Sequence, residues 1–171
     1  MNTVQPLEPV QKVMIRPISE EDFPAFLALS TVMHKESEYR HLSFSEKRVH
    51  AFFRKHLTEP DFAGWVVEVN GSLVAGFLAQ YNYISQFSDD RVAFENGFFV
   101  HPDYRRQGIA EQLFNMYEAW AQNKNCRYTY CSVTTEVEDK KTVARIEKMG
   151  YKPCGTLLKK AFLDECASFC R

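Results

Sequence analysis

The segment from Phe98 to Ala110 holds residue types whose spacing suits the binding of an anion. An apolar run leads into a Pro-containing turn, the basic pair Arg105 and Arg106, the single Gly108 and then an amphipathic pattern. The first N–H groups of a helix have no internal partner and lie at the positive end of its dipole, so they attract anions. Gly108 and the small Ala110 leave that backbone open, and arginine side chains offer forked donors to phosphate oxygens. The segment therefore predicts a phosphate-binding loop at a helix N-terminus.

Two other phosphate-binding motifs fit the chain poorly. A dinucleotide fold needs Gly-x-Gly-x-x-Gly, usually directly after its first strand, whereas this loop has one glycine and lies past the middle of the chain. A Walker A loop needs Gly-Lys-Ser/Thr, which the sequence does not contain. The remaining alternative is a helix start that is basic and glycine-containing by chance, and the elements on either side of the loop count against it.

Length and composition indicate one folded domain without a broad charged surface. The chain has 171 residues and a formal net charge of −1, so we expect neither a nucleic-acid nor a membrane partner. We predict a flexible N-terminal segment over 1–12, which lacks the apolar run of a signal peptide, and a single domain over 13–171. The five cysteines show no Cys-x-x-Cys spacing, which favours reduced thiols in a cytoplasmic protein. A metal or redox role for Cys166 and Cys170 is the alternative.

Strand and helix signals alternate around the loop in the order β-α-α-β-β-β-α-β-α-β-β. Ser19-x-x-Asp22 and Ser43-x-x-Glu46 resemble capping boxes that open the first two helices, and Asn70-Gly71 is a hairpin turn. We predict strands over residues 13–17, 65–69, 73–83, 91–100, 126–134 and 151–162, the last stretch forming two strands, and later helices from 109 and over 139–149. This order predicts an α/β layer architecture with antiparallel hairpins first and crossovers later.

The loop and the element order together resemble the GNAT superfamily of N-acyltransferases. Its acetyl-CoA pyrophosphate loop reads Arg/Gln-x-x-Gly-x-Gly/Ala, matched here by Arg105-x-x-Gly108-x-Ala110. The resemblance, which spans roughly residues 13–163, implies a mixed central sheet of six to seven strands flanked by about four helices. It also implies that the fourth and fifth strands splay apart, so that the pantetheine arm of coenzyme A lies between them.

The same resemblance assigns ligands and an activity. It implies an N-acetyltransferase that uses acetyl-CoA as co-substrate and moves the acetyl group to a primary amine by direct attack in a ternary complex. A bulge at Asn96-Gly97 would accompany the splay, because Gly in a strand often marks one. Lys140 and Lys141 would either reach the 3′-phosphate of coenzyme A or form a solvated pair on the surface. The residues assigned to acetyl-CoA are Phe98, Phe99, Val100, Arg105, Arg106, Gln107, Gly108, Ile109, Ala110 and Glu111.

Glu95 is the candidate catalytic base. Amines with a pKa near 10 are mostly protonated at neutral pH, so the attacking amine needs a proton acceptor. Glu95 stands in an otherwise apolar strand, and in several GNAT branches a Glu occupies the same place. The alternative is that Glu95 faces solvent or pairs with an arginine such as Arg91.

One position departs from the family pattern. Many members carry a Tyr four residues before the Gly that ends the last helix, and this Tyr protonates the departing thiolate. Here Ile146 holds that position before Gly150. Water, Ser132 or Thr134 are the substitutes, and a thiol pKa of ~8.5 makes the thiolate a tolerable leaving group. A non-catalytic acyl-CoA-binding regulatory domain is therefore the alternative function, and an interaction protein that keeps only the fold is a third.

The acceptor site has the weakest signal. In the family it is lined by the first two helices, the loop between them and the fourth-strand side, so Glu36, Tyr39 and Tyr81 are candidate substrate-binding residues. A polar surface loop, or core packing for Tyr81, explains the same residues. We expect a small-molecule amine or a peptide amine as acceptor and no metal site. The aromatic content permits a homodimer.

Overall fold

Five strands and four α-helices make up the regular structure of the residues described by this computed structural model, which are 12–136, 139–160 and 162. The strands are β1 (Val13–Pro17), β2 (Phe62–Val69), β3 (Ser72–Ser85), β4 (Ser88–Val100) and β5 (Cys126–Tyr130). The helices are α1 (Phe23–Glu36), α2 (Glu46–Thr58), α3 (Ile109–Asn123) and α4 (Asp139–Lys148). The predicted flexible segment lies outside the described residues except for its last position, as do Cys166 and Cys170.

The strands form one mixed sheet in the order β1-β2-β3-β4-β5. The first four strands pair antiparallel, and β4 pairs parallel with β5 through the α3 crossover. The α/β prediction is confirmed, but the described residues form five strands instead of the predicted six to seven. The described residues 151–160, predicted to begin the last strands, are irregular and largely exposed. Pro153 within that stretch lacks the N–H that a sheet ladder needs, and Gly155 has no side chain to pack.

Local signals at the element ends behave as the sequence indicates, with one shift. The capping box of Ser19 and Asp22 is present, although it caps a short 3₁₀ turn that leads into α1. Helix α2 is capped by Ser45, whose hydroxyl accepts from the Arg48 N–H at 3.4 Å, instead of by Ser43. The hairpin turn at Asn70 and Gly71 is confirmed, since both residues have positive φ.

Two apolar clusters cover the two faces of the sheet. The apolar stripe of α3 packs on one face against Phe77, with Leu113, Phe114 and Tyr117 almost fully buried. Helices α1 and α2 cover the other face around Phe53. The site-bearing strand β4 is therefore held between layers. None of the helices in the described parts of the chain has the length and apolar character that crossing a membrane requires.

The register of β4 changes at Asn96. Gly97 lies opposite Leu78 and Glu95 lies opposite Ala79, which leaves Asn96 as the extra residue of a β-bulge. This confirms the bulge predicted from Asn96-Gly97. On the other side of the strand, the pairing with β5 runs no further than Phe94 and Tyr130. The rest of β4, from Glu95 to Val100, has β3 on one side and a gap on the other.

Candidate active site

The gap beside β4 opens into a cavity of about 360 Å³. Four parts of the fold enclose it: the end of β4, the loop with the first turn of α3, the segment that follows β5, and one face of α4. Residues of the α1–α2 region close one end. The lining residues that were predicted as site residues are Tyr39, Glu95, Phe98, Phe99, Val100, Arg105, Arg106, Gly108, Ile109, Ala110 and Glu111.

The loop before α3 has the backbone geometry of an anion nest. Arg106 and Gly108 have φ of 65° and 76°, on either side of Gln107. Alternating backbone handedness of this kind turns successive N–H groups toward one point. The first helical hydrogen bond of α3 runs from the Gln112 N–H to the Gly108 carbonyl at 3.2 Å, so the N–H groups before it face no helical acceptor. A Cβ at Gly108 would meet nothing within 4 Å, so steric space alone does not demand glycine at this position. The left-handed φ is the reason that glycine is favoured here.

Arg105 is engaged by protein groups. Its two terminal nitrogens donate to the carboxylate of Glu36 at 2.7 and 2.5 Å, and its Nε donates to the Val100 carbonyl at 3.0 Å. The guanidinium also lies 5.3 Å from the ring centroid of Phe99. The structure thus joins a predicted phosphate ligand to a predicted acceptor ligand, and Glu36 does not line the cavity. Gln107 does not line it either, since its side-chain amide donates to the Asp103 carbonyl at 3.4 Å.

Helix α4 adds cationic groups to the cavity lining. Lys141 and Arg145 both line it, and the Arg145 Nε lies 3.5 Å from the Glu111 carboxylate across the mouth. Lys141 was weighed from the sequence, whereas Arg145 was missed. The signal for Arg145 is its spacing of four residues from Lys141, which places both side chains on one face of the helix.

Glu95 lies in the cavity wall with limited access to water. One carboxylate oxygen lies 3.5 Å from both the backbone nitrogen and the hydroxyl of Ser132, and 4.0 Å from the Cys131 sulfur. Burial raises the pKa of Glu95 to about 7, and the two Ser132 donors partly oppose that rise. The alternative partner Arg91 instead lies over the Tyr81 ring, 5.3 Å from its centroid. A carboxyl with such a pKa can both accept and return a proton near neutral pH.

The position of the missing acid is apolar. Ile146 is 8% exposed, belongs to the core cluster around Phe114 and contributes to the cavity wall. It has no proton to donate. Both substitutes named from the sequence, Ser132 and Thr134, line the cavity, and only Ser132 has a hydrogen bond to Glu95.

At the acceptor end, Tyr39 and Met33 line the cavity. The loop that carries Tyr39 is tied to the segment after β5, because the Glu38 N–H donates to the Thr135 carbonyl at 2.8 Å. The structure does not bring Tyr81 to the cavity, since its ring packs 5.9 Å from that of Trp120 under α3. Its side chain also hydrogen-bonds Asp61, which raises the pKa of the Tyr81 hydroxyl. In the part of the chain that the structure describes, no three or more His, Cys, Asp or Glu side chains are grouped as metal ligands.

Comparisons with known proteins identify the family of the chain. The profile of the Acetyltransferase (GNAT) family matches residues 26–151. An aminoglycoside N(6')-acetyltransferase type 1 from Acinetobacter baumannii is 31% identical over 113 residues, which cover 66% of this chain and 73% of the relative.

Solved structures share the fold. Aminoglycoside N-acetyltransferase AAC(6')-Iy in complex with CoA superposes with a TM-score of 0.73 at 19% identity, covering 92% of this chain and 98% of that one. Glucosamine-6-phosphate N-acetyltransferase from Arabidopsis thaliana superposes with a TM-score of 0.69 at 15% identity, covering 88% and 99%. Since the family profile spans most of the chain, the resemblance seen in the loop is confirmed. The chain belongs to the acetyltransferase (GNAT) family, whose members take the acetyl group from acetyl-CoA.

Proposed function

We propose that this N-acetyltransferase moves the acetyl group of acetyl-CoA to a primary amine by direct attack in a ternary complex, with Glu95 as the base. One observation carries the proposal: a carboxyl whose pKa is raised to about 7 opens into the same cavity as the anion nest. A nest alone would serve binding. The nest together with a proton acceptor poised near neutral pH serves transfer.

The donor half of the site consists mostly of backbone. We expect the pyrophosphate to bind the N–H groups of the nest, with Arg106 and Arg145 supplying charge. The pantetheine arm fits the gap where β4 has no partner strand, because an extended amide-containing chain can pair with free N–H and C=O groups. A β4 N–H directed at the thioester oxygen would stabilise the negative charge that develops there.

The acid–base cycle uses Glu95 twice. The carboxylate takes a proton from the amine as its nitrogen bonds to the acetyl carbon. When the tetrahedral intermediate collapses, the C–S bond breaks and the thiolate leaves with the electron pair. The protonated Glu95 then returns its proton to the sulfur, directly or through the Ser132 hydroxyl 3.5 Å away. This cycle replaces the tyrosine whose position Ile146 occupies.

For the acceptor, we propose a small-molecule amine of low positive charge. The aminoglycoside acetyltransferase relatives support a small-molecule amine. The two glutamates at and just after the end of α1 already have cationic partners, since Glu36 binds Arg105 and Glu38 lies 2.5 Å from the Lys159 ammonium. Their attraction for a polycation is therefore reduced. We expect the acetyl group to pack against the apolar lining residues Phe98, Phe114 and Ile146.

The test is CoA-thiol release from acetyl-CoA with a panel of aminoglycosides, amino sugars, polyamines, amino acids and short peptides. We expect one acceptor class to raise the rate well above that without acceptor. We also expect both substrates to be needed before any product forms, because a ternary complex excludes a burst of free CoA with acetyl-CoA alone. Such a burst would contradict direct attack.

Ile146 favours one second candidate, the non-catalytic acyl-CoA-binding domain. If the chain is such a binding domain, it should bind acetyl-CoA saturably. No acceptor in the panel should then raise CoA release above the rate measured without acceptor. A homodimer and a cytoplasmic location stay predictions.

A further inference from the structure

A histidine on α2 holds the bulge that carries the candidate base. The His56 Nε2 lies 3.2 Å from the side-chain nitrogen of Asn96, the extra residue of the bulge. The His56 Nδ1 lies 2.8 Å from the carbonyl oxygen of Phe52, one turn earlier on the same helix. The ring therefore connects the backbone of α2 to the side chain of Asn96, the bulged β4 residue that has no partner on β3.

The partners fix the proton positions of this contact. A carbonyl oxygen only accepts, so the Nδ1 of His56 carries the hydrogen. In the neutral ring Nε2 is then an acceptor, and the Asn96 amide donates to it. Burial lowers the pKa of His56, while the Phe52 carbonyl, Lys55 and Glu59 act on it in smaller and opposing ways. The neutral tautomer is the form that matches both neighbours.

The ring has little freedom to move. His56 is 4% exposed, and the rings of Phe52 and Phe62 meet it nearly edge-on, with centroids 4.6 and 5.0 Å away. Phe52 also reaches the strand, because a Cβ at Gly97 would lie 4.0 Å from its ring. The bulge is thus covered by two side chains from α2, the buried His56 and the partly exposed Phe52.

We propose that His56 is a positioning residue for the transfer reaction, which acts by pinning the Asn96 bulge so that the neighbouring Glu95 carboxyl stays in the cavity wall. In an unbulged strand, side chains alternate strictly between faces, so Glu95 and its neighbours would change sides relative to the cavity. An inserted residue has no ladder partner of its own, and the His56 contact supplies one from another element. The test has two measurements, the pKa of Glu95 and the rate of turnover, and only the turnover measurement depends on the proposed function.

The first arm of the test measures the pKa of Glu95 by carbon NMR titration in the free protein, without any acceptor. His56→Phe keeps an aromatic ring but accepts no hydrogen bond, and Asn96→Ala removes the donor. We expect each to release the carboxyl toward water and lower its pKa by about one unit or more, and the double variant to go no further than either single one. His50→Phe is the matched control, since His50 lies on the same helix and packs edge-on against Phe23.

The second arm measures CoA release at saturating acetyl-CoA with the acceptor found by the panel. Turnover should fall roughly tenfold in both variants while acetyl-CoA affinity stays within about twofold, since the nest is untouched. An unchanged Glu95 pKa in Asn96→Ala would overturn the proposal, and this smaller change at a partly buried position also decides the matter if His56→Phe does not fold. If wild type released no CoA with any acceptor, the proposed function would fail while the NMR arm still decided the role of His56.

Discussion

Replacing Glu95 by glutamine should make the protein both less active and more stable at alkaline pH. The change keeps the size of the side chain and removes its charge, so packing in the cavity wall is preserved. Turnover should fall at least about tenfold because the amine loses its proton acceptor. Acetyl-CoA affinity should stay within about twofold, since the nest lies in a different part of the cavity.

The stability effect follows from the difference between the two pKa values of Glu95. The carboxyl has an ordinary pKa of 4.5, which the unfolded chain retains, whereas burial raises its pKa in the folded protein to about 7. Below pH 4 the group is protonated in both states and contributes nothing. As pH rises from 4.5 to 7 the unfolded state loses the proton first, so the free energy of unfolding falls. At about 1.4 kcal/mol per pKa unit, the full penalty above pH 7 approaches about 3 kcal/mol.

Urea denaturation of wild type and Glu95→Gln at pH 4, 6 and 8.5 measures this pH dependence of the free energy of unfolding. We expect equal stability at pH 4 and a gain of up to about 3 kcal/mol for the variant at pH 8.5. Glu111→Gln is the control, because that carboxylate is exposed at the cavity mouth and has no comparable burial. A variant less stable than wild type at pH 8.5 would refute the burial argument. Unchanged turnover at neutral pH would remove Glu95 from the mechanism.

Three further changes test the nest, the proton relay and the fold. Gly108→Ala should cost about 1 kcal/mol of stability through its left-handed φ and weaken acetyl-CoA binding several-fold by calorimetry, whereas Gly155→Ala, with open space and no positive φ, should do neither. Ser132→Ala removes one of the donors that favour the charged Glu95, so the acidic limb of the pH–rate profile should move to higher pH. Asp22→Asn should lower the free energy of unfolding at pH 7 by about 2 kcal/mol, because the buried side chain loses its charge-assisted hydrogen bonds from Arg16, while Arg16 keeps its ion pair with Glu68. The salt bridge lowers the pKa of Asp22 in the folded protein, so the stability difference should narrow as pH falls below 3.8, where the unfolded wild-type chain takes up the proton before the folded one does.

The sequence predicts those parts of the fold that depend on local chemistry. The Asn70-Gly71 turn, the capping box at Ser19 and the bulge beside Gly97 are each set by residues within a few positions, and all are present. The apolar stripe of α3 is local in the same sense, because its spacing is that of a helix. Pairing partners are not local. The sequence predicts strands from Tyr151 onward, yet Pro153 and the lack of a neighbouring ladder leave these residues irregular over the described range.

The candidate site divides in the same way. The family pattern predicts that Glu95 and the phosphate-binding loop belong to one site, and both line the same cavity. It gave no sign that burial would bring the pKa of Glu95 close to neutrality, since that depends on what covers the strand. Nor did it connect His56 with Asn96, because α2 and the bulge meet only through the tertiary packing of helix on sheet.

The salt bridge between Glu36 and Arg105 shows why the sequence alone does not predict which charged side chains bind a ligand. Each charge was assigned to a ligand, the carboxylate to an amine and the guanidinium to a phosphate, and in the structure each has the other as its partner. A carboxylate that already binds a guanidinium attracts a cationic amine less, so we expect acceptor recognition to depend more on Tyr39 and Glu95. The phosphate site is affected less, because its donors are mostly backbone N–H groups whose directions Gly108 helps to set. A ligand site built from backbone can therefore be inferred from glycine placement, whereas a site built from side-chain charges depends on partners that only the fold brings together.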